Sequence, residues 1–114
     1  MIEVRRYRQA DGYEPLTDWL KRLPDRQAKA RLLARIDRLE TGNFGDCKFL
    51  RDGISELRID WGPGYRVYFG RSGSLLVILL CAGDKRRQTA DIERAVDFWN
   101  DYKVRVPNLV KRAM

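Results

Sequence analysis

Six side chains that could handle a phosphodiester fall within three short stretches. Arg58 lies in ISELRID (54–60), Arg66 and Tyr68 in YRVYFGR (65–71), and Lys85, Arg86 and Arg87 in GDKRRQ (83–88). A guanidinium offers a planar fork of donors that matches two phosphate oxygens, an ammonium is a compact point charge, and a phenol ring gives a base a face to stack on. The chain has no histidine, so no side chain at its ordinary pKa changes charge near neutral pH. Proton transfer in such a site falls to Lys85 with its pKa lowered by neighbouring arginines, or to a carboxylate such as Asp91 or Asp84.

The elements that must position these groups follow from periodicity. ISELRID, YRVYFGR and LLVILLCAG (75–83) are separated by Gly62-Pro63-Gly64 and Ser72-Gly73, which reads as an antiparallel meander. Alternation places Leu57 and Ile59 on the helix side, and Glu56, Arg58 and Asp60 on the other. A three-residue loop at Gly62-Pro63-Gly64 sets Asp60 opposite Arg66 and Arg58 opposite Tyr68, whereas a four-residue loop flips the parity and buries Arg66. On the first pairing Arg58, Arg66, Tyr68 and Lys85 form a concave basic and aromatic patch. The same residues also fit a surface laced with ordinary ion pairs, Arg66 to Asp60 and Arg58 to Glu56. LLVILLCAG is apolar on both faces, as a central strand is.

Upstream, IEVRRYR (2–8) alternates as a strand. Pro15 opens a short helix with Leu16, Trp19, Leu20 and Leu23 on one stripe, ended by Pro24. Asp25 caps a second helix, 26–41, that stops at Gly42. Its buried stripe is Leu32, Ile36 and Leu39, and Arg31, Arg35 and Arg38 repeat the same spacing on an adjacent face. That face reads either as a solvated surface or as a contact for RNA phosphates. Residues 42–53 form a glycine-rich loop with a short extended piece at 48–50. A third helix follows GDKRRQ, with Ile92, Ala95, Val96 and Trp99 as its stripe. The order β-α-α-β-β-β-α predicts an α+β domain, an antiparallel sheet with the helices grouped on one side, leaving the other side open for function.

Composition narrows the class. At 114 residues, 44% hydrophobic and 34% charged, the chain is one globular domain able to bury about two-thirds of its unfolded surface. The charge of +7 suits a polyanionic or acidic partner. Cys47 and Cys81 show no metal-ligand or redox spacing, so neither metal nor other cofactor is expected. The longest apolar run, 75–82, is far too short to span a bilayer and no leader-like segment opens the chain. The expectation is a cytoplasmic protein that makes no membrane contact. Ser-His-Asp constellations and phosphate-binding glycine loops are missing from the sequence, which argues against those hydrolase classes.

Three segments, LPDRQAKARLLARIDRLETGNFGD, ISELRIDWGPGYRVYF and LLVILLCAGDKRRQTADI, together resemble the RelE/ParE superfamily of toxin–antitoxin toxins. The similarity is greatest to its HigB-like addiction module killer protein branch of the phage-derived Gp49 type, and covers about residues 1–104, leaving 105–114 as a C-terminal extension. The resemblance implies a RelE-like fold and an endoribonuclease, an mRNA interferase that cuts mRNA in the ribosomal A site. It also implies neutralisation by a small helix-turn-helix antitoxin of the HigA kind. It assigns phosphate binding to Arg66, the basic position after the last strand to Lys85 with Arg87 just beyond, and the second-strand cation to Arg58. The tyrosine of some RelE toxins is absent, its place falling near Asp91. Two alternatives stand beside this one: a ParE-like poison of DNA gyrase, and an inactive RelE-fold binding protein.

Overall fold

A computed structural model describes residues 1–106 of the chain. The expected C-terminal extension therefore lies, from residue 107 on, outside the described residues. The elements are β1 (Glu3–Arg6), α1 (Pro15–Arg22), α2 (Arg26–Arg38) with a 3-10 turn at Leu39–Thr41, β2 (Cys47–Arg51), β3 (Ile54–Ile59), β4 (Tyr65–Ser72), β5 (Leu76–Asp84), a second 3-10 turn at Lys85–Arg87, and α3 (Gln88–Arg105). The domain is α+β, as the order of its elements predicts.

The sheet has five strands in the order β1-β5-β4-β3-β2, and it is mixed: β1 runs parallel to β5 while the remaining pairs are antiparallel. The meander 54–84 is as expected, and the extended piece at 48–50 is the middle of an edge strand, β2. The expected grouping of all helices on one side is wrong. Leu16 and Leu20 of α1 and Ala28, Leu32 and Ile36 of α2 pack on Leu57, Ile59, Val67, Phe69, Val77 and Leu79. The opposite face, through Ile54, Tyr68, Ile78 and Leu80, is covered by Ala95, Trp99 and Tyr102 of α3. Both faces of β5 are thus buried, which is the reason its sequence lacks alternation.

Close approach of α3 depends on two glycines. A Cβ on Gly70 would stand 2.6 Å from ring carbons of Trp99, and one on Gly83 would stand 1.9 Å from Asp91 Oδ2. Neither distance is tolerable, so β4 and β5 must be bare where the helix crosses them. Asp25 caps α2 by accepting from the amides of Gln27 and Ala28 at 2.9 and 3.1 Å. The other oxygen of the same carboxylate accepts from the Trp61 indole at 3.2 Å, and Arg31 of α2 stacks 3.9 Å over that ring. Helix α2 thereby braces the β3–β4 connection.

Candidate phosphate-binding cleft

The β3–β4 connection is longer than the sequence suggests. Ile59 pairs with Tyr65, so Asp60 to Gly64 form a five-residue loop, closed by Gly64 donating to the Trp61 carbonyl at 3.0 Å. The register is moved by two residues from the expected one, so the faces are kept and the partners change. Arg58 stands directly opposite Arg66, and Glu56 opposite Tyr68. Two like charges facing each other across a ladder, roughly 4.5–5.5 Å apart at Cβ, destabilise a sheet unless each is separately balanced. Here each is. Arg58 donates to Asp46 at 2.9 and 3.1 Å, and Arg66 Nε lies 3.6 Å from Glu56 Oε2. The ion pairs expected from the sequence, Arg66 to Asp60 and Arg58 to Glu56, are not the ones formed.

Lys85 completes the group. Its amide donates to the Gly64 carbonyl at 2.8 Å, which clamps the end of β5 to the hairpin loop. The result is a cleft of about 440 Å³ lined by Asp46, Arg58, Asp60, Gly62, Pro63, Gly64, Arg66 and Lys85. It sits at the hairpin end of the α3 face, past the first turn of the helix. Arg66 donates Nη1 to the Tyr65 carbonyl at 3.1 Å and its side chain is 14% exposed. Lys85 and Asp60 are exposed and enter no side-chain ion pair or hydrogen bond among the described residues. The sequence alone offers Asp60 only as a partner for Arg66 and gives Asp46 no role.

Two sequence candidates lie elsewhere. Tyr68 is wholly buried under α3, with its hydroxyl free of any hydrogen-bond partner among the described residues and its pKa driven upward, chiefly by burial. It offers no face to a base, because the side of the sheet expected to be open is closed one residue pair above Arg66. Asp91 is 3% exposed and absent from the cleft lining. Its Oδ1 meets Arg94 at 3.4 Å while Oδ2 has no hydrogen-bond partner among the described residues, and burial raises its pKa against the lowering effect of Arg94 and Arg87. That buried carboxylate has no path to a substrate in the cleft.

The remaining cations divide by what they touch. Arg35 is a strut: its guanidinium donates to the carbonyls of Arg58 at 2.7 Å, and of Phe44 and Asp46 at 3.1 Å each. It therefore fixes both Arg58 and the acid that balances Arg58. Arg31 is committed to Trp61. Arg38 is exposed. Arg86 is held by Asp84 at 2.9 Å, which keeps that carboxyl below its ordinary range, and Arg87 is exposed at the head of α3. A second depression, on α2, is lined by Arg31, Arg35, Arg38 and Ile59 and shares Asp60 with the cleft. A third, lined by Trp19, Tyr65, Arg86 and Arg87, shares Pro63 with it. Among the described residues no group of three or more His, Cys, Asp or Glu could hold a metal ion, and no helix is long and apolar enough to cross a membrane.

The family model described as phage-derived protein Gp49-like (DUF891) matches residues 18–97, which contain the whole cleft. The chain belongs to the Gp49-like family. That family is the RelE/HigB-like branch of addiction module toxins, and the mixed sheet with its three helices is compatible with a RelE-like fold. An uncharacterised protein of Haemophilus influenzae is 57% identical to this chain over 77 residues, 68% of this chain and 78% of the relative. Within this Gp49-like chain, the family match spans every residue of the cleft and the α2 strut that supports it.

Proposed function

We propose that this Gp49-like protein is the toxin of a toxin–antitoxin pair and that it cuts mRNA on the ribosome, with the cleft at Arg58, Arg66 and Lys85 as its active site. The observation that supports this best is the cross-strand pairing of Arg58 with Arg66, with unpaired Lys85 beside them. A sheet that juxtaposes like charges and then supplies a separate acid for each gives up stability to hold two guanidinium forks and an ammonium around one cleft.

The chemistry suited to such a cleft is attack of the ribose 2′-oxygen on the neighbouring phosphorus. The P–O5′ bond breaks, and the products are a 2′,3′-cyclic phosphate and a 5′-hydroxyl end. Arg66 and Arg58 neutralise the charge that builds on the phosphorane oxygens. Asp60 is an unpaired carboxylate in the cleft and accepts the 2′-hydroxyl proton, while the Lys85 ammonium supplies one to the departing 5′-oxygen. Ordinary carboxylates and ammoniums are weak at both tasks near neutral pH, so the greater share of the rate comes from positioning and charge stabilisation. A ribosome that presents the mRNA already bent supplies part of that positioning. The basic depressions adjoining the cleft, with Arg38 and Arg87 exposed in them, serve as contacts to RNA phosphates. A helix-turn-helix antitoxin is the partner that holds the protein inactive in the cell.

The test is to induce the protein in growing bacteria, then map the 5′ ends of cellular mRNA and inspect the chromosome. Growth arrest with cuts in phase with codons supports the reading. Growth arrest with broken DNA and intact mRNA transfers the protein to the gyrase-poisoning class, and undisturbed growth leaves a binding protein.

A further inference from the structure

Glu56 is 2% exposed on the face of β3 that α3 covers. Burial of a carboxylate is costly unless it is both paired and hydrogen-bonded, and this one is both. Its Oε2 accepts from Gln88 Nε2 at 3.0 Å and stands 3.6 Å from Arg66 Nε. Glu56 does not itself line the cleft. Gln88 is the first residue of α3, so the carboxylate is anchored from the helix and faces the arginine from behind.

The three nitrogens of Arg66 are used unequally. Nη1 donates to the Tyr65 carbonyl, Nε is buried beside Glu56 as an ion pair at 3.6 Å without a hydrogen bond, and Nη2 has no partner among the described residues. A guanidinium is planar and rigid, so the hydrogen bond at Nη1 and the buried counter-charge beside Nε together bias the direction of the third nitrogen. An apolar side chain at position 56 would leave Gln88 without this acceptor and Arg66 without this counter-ion. We propose that Glu56 is a positioning residue, whose carboxylate, held by Gln88, sets the plane of Arg66 so that Nη2 meets the RNA phosphate. This rests on the cleft being the phosphate site.

A double-mutant cycle separates the two ideas. Wild type, Glu56→Gln, Arg66→Ala and the double variant are compared for single-turnover cleavage of a defined mRNA on purified ribosomes, for ribosome affinity, and for thermal unfolding. Glutamine keeps the shape and can still accept from Gln88 while removing the charge. The expected result is an about 10- to 100-fold slower cleavage by Glu56→Gln, with ribosome affinity within about twofold and no fall in Tm. In the Arg66→Ala background the same change should slow cleavage less than about twofold and raise Tm, because it removes a buried charge left without its cation. A full repeat of the loss in that background, or a loss of rate that tracks a loss of Tm, means that Glu56 does not act through Arg66 and overturns the positioning role alone. Wild-type cleavage by Arg66→Ala itself would overturn the cleft reading, and the role of Glu56 with it.

Discussion

Arg66 and Asp91 show how burial separates a side chain that can meet a ligand from one that cannot. Arg66 keeps one face in the cleft, so Arg66→Lys, which preserves the charge beside Glu56 but loses the fork, should lower toxicity by about 100-fold or more with Tm nearly unchanged. Colony survival on induction, paired with thermal unfolding, measures both. Asp91 has the opposite character. Its folded-state pKa is raised by burial, so the native state binds this proton more tightly than the unfolded chain does. Its contribution to stability is therefore greatest in acid and is lost as pH rises from the ordinary carboxylate range through the raised value. Asp91→Asn should raise Tm at pH 7 by a few degrees, flatten the wild-type decline over that window and leave mRNA cleavage intact. Melting curves from about pH 4 to 7 would show it, and a variant that melts lower at pH 7 would contradict it. The sequence marks Arg58, Arg66 and Lys85 because charge at a turn is visible in the alternation. It does not mark Asp91 or Tyr68 as buried, since what closes over them is the packing of α3 on a sheet face distant in sequence.

At the scale of elements, α2 and α3 do different work for the same hairpin. Helix α2 holds it through Arg35, Asp25 and Arg31, and α3 closes the sheet face through Trp99 seated on Gly70. Arg35→Ala removes the donor to the Arg58 and Phe44 carbonyls, and one of the two donors to that of Asp46, and should cost about 1–3 kcal/mol, lowering Tm. Arg38→Glu, on the same stripe but exposed, should leave Tm unchanged. Gly70→Ala drives a methyl into the Trp99 ring and should cost about 1–3 kcal/mol. Differential scanning calorimetry on the three variants checks the ranking. The caps, stripes and breaks of α1 and α2 are legible in sequence because they are local: Pro15, Pro24, Asp25 and Gly42 each act within a turn. The parallel pairing of β1 with β5 and the seat of α3 are long-range and leave no local mark. One clue is present even so, since LLVILLCAG is apolar on both sides and a strand of that kind needs a cover on each face.

For the whole molecule, a charge of +7 should make the proposed association with the ribosome dependent on salt. Removing one phosphate-binding cation should reduce the slope of log K against log salt by about 0.7–0.9. Reversing Arg38 and Arg87 should therefore weaken ribosome binding and flatten its salt dependence, as read by co-sedimentation over a salt series. An unchanged slope would make those positions solvated surface only. On the proposed function, the product of a neighbouring reading frame should co-purify with the protein through moderate salt and restore growth. The most direct measurement is made with purified components: wild type and Arg66→Ala are incubated with ribosomes carrying a defined mRNA, with the same mRNA free in solution as control. The cleft account predicts cuts in the A-site codon by the wild type only, 5′-hydroxyl and 2′,3′-cyclic phosphate ends, and little or no cutting of free mRNA. Intact mRNA on wild-type-treated ribosomes, or equal cutting by Arg66→Ala, would contradict it.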